Sequence, residues 1–426
     1  MKIAVVGLWH LGSVTAACLA HKGFEVIAYD PDPKIVDDLN QGILPVSEPG
    51  LADLVKAGLD HRRLVFTSEL KDLSSAGLVW VTYDTPVDDE DRADTQGVIS
   101  NIQALFEFIK PNSVIVISSQ LPVGSIRLLE NEAKRLVLTK NLSFACSPEN
   151  LRLGNALKVF LEPDRIIIGL NRQDKKAFIE SIFLAISPNL VWMSVESAEM
   201  TKHAINTFLA TSVVFINEIA ALCEEVGADA REVERGLKSE MRIGPKAYLR
   251  PGNAFAGGTL ARDTQYLIEL GKKFDHQTPL FSGILASNQQ HKDWPKHQLN
   301  LLFKGEISGK KIALLGLAYK PGTNTLRRSS ALEICEWLRQ QQAKIAAFDP
   351  GIQDLPFEYG FIDLKKSARE ALDKADVAVI FTPWPEFESL EVKDLKNLTV
   401  IDVTGFLYEK FSKITGLKYI TIGKRT

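Results

Sequence analysis

Six residues near the N-terminus, Gly7-Leu8-Trp9-His10-Leu11-Gly12, and one carboxylate further on, Asp30, suggest the first chemistry of this chain. Two glycines spaced this way, between an apolar run and a longer apolar stretch, mark a strand–turn–helix that brings backbone amides up to a phosphate. The first glycine makes the tight turn and the last lets helix and strand pack closely. Asp30, 23 residues after Gly7, ends the next apolar run. A carboxylate there can accept hydrogen bonds from a ribose diol, and its charge repels a 2′-phosphate, so the set predicts NAD rather than NADP. Lys34 weakens that preference slightly. Trp9 occupies the place of the middle glycine, whose lack of a side chain lets the backbone approach a pyrophosphate. Its ring must turn outward or stack along the cofactor. A plain strand–helix–strand unit holding no cofactor is the alternative.

A parallel sheet covered by helices must position these residues. Residues 2–7 read as an apolar strand, followed by a helix to about residue 22, and 24–30 as a second strand. Further apolar strands are predicted at 78–82, 113–118 and 164–169. Strands alternating with helices give a parallel sheet buried on both faces. From about residue 196 the period changes. Met200, Ile205, Phe208, Leu209, Val213, Ile216 and Ile219 recur at helical spacing, with few breakers before Gly227. A helix of about 30 residues would be roughly 45 Å long, enough to span two domains or support a dimer interface. Two shorter helices with a kink are the alternative.

A third unit opens near residue 299. Its segments 311–318 and 343–350 repeat the character of the first two strands, down to a terminal aspartate, and 376–382 and 398–403 add two more. The fold class is therefore α/β: two Rossmann-like doubly wound domains, 1–195 and 299–426, joined by a central long-helix domain at 196–298. The C-terminal one lacks a full glycine fingerprint, yet its strand-end loops can still build a ligand site.

Composition narrows the partners. The chain has 426 residues, 45% of them hydrophobic, and a formal net charge of -3 without a basic stripe, which argues against nucleic acid. No uninterrupted apolar run reaches about 18 residues, so no membrane partner is expected, and no signal peptide is evident. Cys18, Cys146, Cys223 and Cys335 are widely scattered, which suits reduced thiols in the cytoplasm rather than a disulfide framework or a metal site.

Several segments, in order and over nearly the whole chain, together resemble the UDP-glucose/GDP-mannose dehydrogenase family. They are residues 30–36, 42–51, 121–124, 147–152 (Ser-Pro-Glu-Asn-Leu-Arg), 162–169, the start of the long helix, 255–264 and 316–324. The resemblance implies an NAD-dependent enzyme that oxidises C6 of a nucleotide sugar, most commonly a UDP-sugar, and that forms a homodimer. It implies NAD contacts from Gly7, Trp9, His10, Leu11, Gly12, Asp30, Lys34, Thr85 and Gln120. Lys202 and Asn206 match helix residues that polarise the sugar oxygen and orient water; lying four apart, they share one helix face. Asp263 matches a base or water-orienting group, and Glu149 a carboxylate near the sugar. Leu151, Arg152, Tyr248, Gly257, Lys320 and Arg327 fall where the family contacts the nucleotide sugar, and Arg242 where a partner subunit does.

The departures concern the second half of that chemistry. The family's nucleophilic cysteine, in Phe-Gly-Gly-x-Cys-x-Pro-Lys-Asp, is Thr259 here. A threonine hydroxyl is a poor nucleophile at neutral pH, whereas a thiolate is available. Leu153 replaces a glutamate that serves thioester hydrolysis, Gln120 a threonine, Asn324 and Thr325 paired aspartates, and Thr404 an arginine. The sequence therefore suggests oxidation that stops at the aldehyde. Three readings stay open beside it: a second hydride transfer from the hydrated aldehyde or through Cys146; a catalytically impaired homologue that binds nucleotide sugar or NAD as a sensor or partner; and a dehydrogenase for another sugar position.

Overall fold

The computed structural model describes residues 1–88, 93–149, 151–256, 258–396 and 398–425. It divides into two compact units, Met1–Ile205 and Asn206–Thr426.

The first unit is built on eight strands: β1 (Lys2–Val6), β2 (Glu25–Tyr29), β3 (Leu64–Thr67), β4 (Leu78–Val81), β5 (Val114–Ile117), β6 (Ser143–Cys146), β7 (Ile166–Leu170) and β8 (Leu190–Met193), in the order β3-β2-β1-β4-β5-β6-β7-β8. All neighbours pair in parallel except β6 with β7. The first strand shows why its residues are apolar throughout. Ile3 and Val5 enter the core on one face of the sheet, with Val14, Ala17 and Cys18 of the helix His10–His21. Ala4 and Val6 enter the core on the other face, with Val79, Val81 and Ile102. A strand covered on both faces has no polar side to alternate with.

The second unit carries a six-stranded sheet, β9 (Lys311–Leu315), β10 (Lys344–Phe348), β11 (Asp363–Leu364), β12 (Val377–Ile380), β13 (Thr399–Asp402) and β14 (Lys418–Thr421), all parallel, in the order β11-β10-β9-β12-β13-β14. The helices Thr259–Lys273, Pro279–Lys292 and Trp294–Phe303 precede it. The period change near residue 196 corresponds to one continuous helix, Val195–Val226, rather than two. The division between the units falls inside it.

The nine strands expected from the sequence are present, and the structure adds β3, β6, β8, β11 and β14. The added strands are two to four residues long. Runs that short carry no period that separates strand from loop, and the equally short β4 and β5 are legible only because every residue in them is apolar. The long helix meets the length and mean hydropathy of a membrane-crossing segment, although no uninterrupted apolar run does. Its Glu199, His203 and Asn206 are nonetheless buried and hydrogen-bonded to protein groups.

Candidate active site

The glycine turn forms as the spacing requires. Gly7 has φ +90°, and a Cβ there would meet Tyr83 within 2.5 Å. A Cβ on Gly12 would lie 1.8 Å from the Gly7 carbonyl oxygen. Position 9 differs. Trp9 takes φ -68°, an ordinary value for any residue, and its side chain is 43% exposed. The fold of the turn thus demands glycine at 7 and 12 but not at 9, where only a ligand would. Trp9 also sits at the N-cap of the helix His10–His21 without a capping side-chain hydrogen bond, which leaves first-turn amides to an anion.

Asp30 braces this turn from the end of β2. Its carboxylate accepts from the Leu8 amide at 2.7 Å and the Asp32 amide at 3.0 Å. Burial pushes its pKa above the ordinary carboxylate value, and the two amide hydrogen bonds oppose that rise. Each oxygen keeps a lone pair for a ribose hydroxyl. Lys34 is turned to Asp38, 2.8 Å away, in an exposed pair. Thr85 is buried and donates to the Gln120 carbonyl at 2.8 Å, tying the strand-end loops after β4 and β5 together. The residues present therefore fit NAD: a closed turn, uncapped helix amides, and a carboxylate in place for the ribose.

Lys202 and Glu149 come together in the same unit. Lys202 is 8% exposed, and its ammonium donates to the Glu149 carbonyl at 2.6 Å, with a Glu149 carboxylate oxygen at 3.4 Å. The other carboxylate oxygen accepts from the Leu151 amide at 2.5 Å. Two residues that sequence reasoning passes over flank this lysine. Glu199 accepts from the Gly124 and Ile126 amides, and the His203 ring bonds the Leu121 carbonyl at 3.0 Å. Successive turns of one helix thus hold both the 121–126 loop and the 149–151 loop. Burial raises the pKa of Glu199 against those two amide bonds. Their only sequence signal is polar residues inside an apolar period.

In the second unit Asn206 and Asp263 meet directly, the amide Nδ2 donating to the carboxylate, with Asp263 fully buried. Thr259 is the exposed first residue of the helix Thr259–Lys273, preceded by Gly258 at φ +103°. That position would lower the pKa of a thiol through the helix N-terminus, but does not make a hydroxyl nucleophilic. Arg152, Arg242, Tyr248, Lys320 and Arg327 are all at least partly exposed. Arg242 pairs with Glu240 at 2.9 Å, and the Lys320 ammonium lies 5.4 Å from the ring centre of Tyr319. Gly257 lies outside the described residues. Leu11 and Leu151 are half-buried. Cys146 is buried, and desolvation raises its pKa well above the usual thiol value, so it is no substitute nucleophile.

Three consecutive segments match the domains of one family: its NAD binding domain at 1–187, its central domain at 196–290 and its UDP binding domain at 313–409. The chain belongs to the UDP-glucose/GDP-mannose dehydrogenase family. It is 31% identical over 431 residues to UDP-glucose 6-dehydrogenase TuaD of Bacillus subtilis, covering 99% of this chain and 93% of that protein. It is 32% identical over 436 residues to UDP-glucose 6-dehydrogenase of Rickettsia bellii, covering both chains fully. Among solved structures, a UDP-glucose dehydrogenase from the archaeon Pyrobaculum islandicum superposes with a TM-score of 0.90 at 26% identity, over 99% of this chain and 97% of that one. This is a family of NAD-dependent oxidoreductases that act on the CH–OH group of nucleotide sugars, and the first sheet is its NAD-binding domain.

Proposed function

We propose that this family member oxidises the C6 alcohol of a UDP-sugar and releases the aldehyde. The observation that carries the reading is the buried Lys202 ammonium on the Glu149 loop, one helical turn before Asn206. Bound NAD supplies the hydride acceptor. Lys202 and Asn206 stabilise the developing negative charge on the sugar oxygen. Asp263, held by Asn206, receives the hydroxyl proton through an oriented water. Glu149, Leu151 and Arg152 bound the sugar, while Tyr248, Gly257, Lys320 and Arg327 hold the nucleotide diphosphate. One hydride and one proton leave per sugar. With Thr259 in the place of a thiol and Leu153 in the place of a glutamate, no thioester forms, and the aldehyde leaves.

The same reading gives three domains, 1–195, 196–298 and 299–426, and a homodimer. Phe208, Phe215 and Leu222, spaced by seven along the long helix, are exposed by 71%, 46% and 61%. An apolar seam of that period suits a second helix. Arg242 would reach the substrate of the partner subunit. Four buried free thiols suit a reducing cytoplasm.

The test is NADH formation by purified protein with NAD and UDP-glucose, counting NADH per sugar and identifying the product. The expected result is one NADH and an aldehyde, with Lys202→Ala slowing turnover by on the order of a hundredfold. Two NADH and a carboxylate would overturn release at the aldehyde. No NADH with any UDP- or GDP-sugar would favour a binding protein with lost activity.

A further inference from the structure

His10 lies in the cofactor turn as the first residue of the helix His10–His21, and its ring does not point to that helix. Its Nε2 sits 2.8 Å from a carboxylate oxygen of Glu48, whose side chain is only 1% exposed. Glu48 belongs to the Ser-Glu-Pro-Gly segment, 38 residues away. The same carboxylate accepts from the Gly154 amide at 2.8 Å and the Ala156 amide at 2.7 Å. Those amides end the 149–155 loop and begin the short helix Ala156–Leu161, whose N-cap residue Asn155 makes no capping side-chain bond. Glu48 is therefore the cap of that helix, supplied from a distant loop. A carboxylate accepting two backbone amides has only acceptor capacity left, so the imidazole donates through Nε2–H.

The 149–155 loop is thus pinned at both ends. Lys202 holds the Glu149 carbonyl, and Glu48 holds Gly154 and Ala156. One of these pins reaches back to the cofactor turn through a single imidazole. We propose that His10 and Glu48 are positioning residues that transmit occupancy of the NAD turn to residues 151–156. This rests on the assignment of the turn to NAD, and on no assumption about the sugar. Without ligand, the first-turn amides of the helix His10–His21 have no side-chain cap. Phosphate on its amides stiffens that turn, fixes the His10 ring, and thereby fixes Glu48 and the two amides it holds. The segment carrying Leu151 and Arg152 is then more ordered. The coupling is one of local order rather than of a displaced domain, so hydrogen exchange is its direct observable.

The experiment is amide hydrogen exchange of the full chain with and without NAD, read at a peptide covering residues 7–14 and another covering 151–161. In the wild type NAD slows exchange at both, the second by roughly tenfold. At NAD concentrations raised until the slowing at 7–14 reaches its limit, whatever the change in affinity, His10→Leu still lacks the slowing at 151–161. His10→Gln, whose side-chain amide can donate to Glu48, retains most of it. Glu48→Gln raises exchange at 151–161 even without NAD. Full NAD-dependent slowing at 151–161 in His10→Leu overturns the link, as does equal loss in His10→Leu and His10→Gln, which would indicate packing alone. Absence of slowing at both peptides in the wild type overturns NAD binding at the turn and the link with it. Slowing at 7–14 alone in the wild type overturns only the link.

Discussion

The two sheets open with the same turn, built twice from the same residue types at distant places in the chain. Gly7 and Gly316 both have φ +90°. Each donates its amide to the last residue of the neighbouring strand, Tyr29 at 2.9 Å and Phe348 at 2.8 Å. Each turn is braced by the aspartate directly after that strand: Asp30 accepts from Leu8, and Asp349 from Leu317 and Ala318. A serine closes each turn, Ser13 donating to the Leu8 carbonyl at 2.8 Å and Ser329 to the Leu317 carbonyl at 2.6 Å. The two halves diverge just beyond the turn. In the first sheet the helix starts at His10, so its amides stand next to the turn. In the second the helix waits until Ser330, and the intervening loop carries Tyr319, Lys320 and Arg327. One scaffold thus places backbone amides beside the turn in one half and basic side chains there in the other. The carboxylates differ accordingly. Asp349 also accepts from Gly351 and from the Trp384 indole, so four donors, three of them on one oxygen, hold it as a structural brace. Asp30 serves two and retains capacity for a ligand.

The sharpest way to break this comparison is to fill the turns. Gly12→Ala places a Cβ 1.8 Å from the Gly7 oxygen, and NAD affinity measured by calorimetry should fall by ~100-fold or more, as expected when a positioning backbone shifts by about 1 Å. Gly316→Ala drives a Cβ to 2.5 Å from Thr382; it should lower the melting temperature yet leave NAD affinity within about twofold. An equal loss of NAD affinity in both variants would show that the halves do not divide the ligands.

Removing the braces should give a smaller and graded effect. Asp349→Ala strands four buried donors and Asp30→Ala two, with each stranded group worth about 1–3 kcal/mol before relaxation. Urea unfolding should therefore show the larger loss for Asp349→Ala, while NAD affinity falls only for Asp30→Ala. Equal destabilisation would mean that the extra donors of Asp349 find other partners.

The pH dependence should be smaller again, and it carries two opposite signs. Burial raises the folded-state pKa of Asp30. Such a group contributes stability fully present below its unfolded pKa, about 3.9, and lost as pH rises through its raised folded value. NAD binding runs the other way, because the ribose hydroxyls donate to the carboxylate. On acidification NAD affinity should therefore weaken earlier than for an ordinary aspartate, and Asp30→Asn should flatten that profile in a titration from neutral pH downward. The smallest effect is expected from Trp9→Gly. The exposed indole and ordinary φ of position 9 predict a stability change within about 0.5 kcal/mol and a several-fold gain in NAD affinity. Unchanged affinity would show that the ring already lies clear of the pyrophosphate.

Legibility tracks locality. The Gly7–Gly12 turn, Asp30 and the long helix are encoded by spacing along a short stretch of chain, and each is readable there. Glu48 sits in a recognisable segment, yet its capping task is invisible in the sequence, since the amides it accepts from lie more than 100 residues away. Glu199 and His203 are hidden for the same reason. The likeness of Asp349 to Asp30 is visible as a repeated strand ending, but its four donors are not.

By itself the sequence determined nine strands of the two sheets, the helical period after residue 196 and the residue types available to cofactor and substrate, because apolar period, glycine spacing and terminal acids act through local backbone geometry. Tertiary structure alone decided which carboxylate serves four donors and which serves two, which loop Lys202 holds, and which distant glutamate caps the helix at Ala156. Those outcomes depend on buried backbone amides finding acceptors wherever the fold brings them, and no spacing along the chain records that meeting.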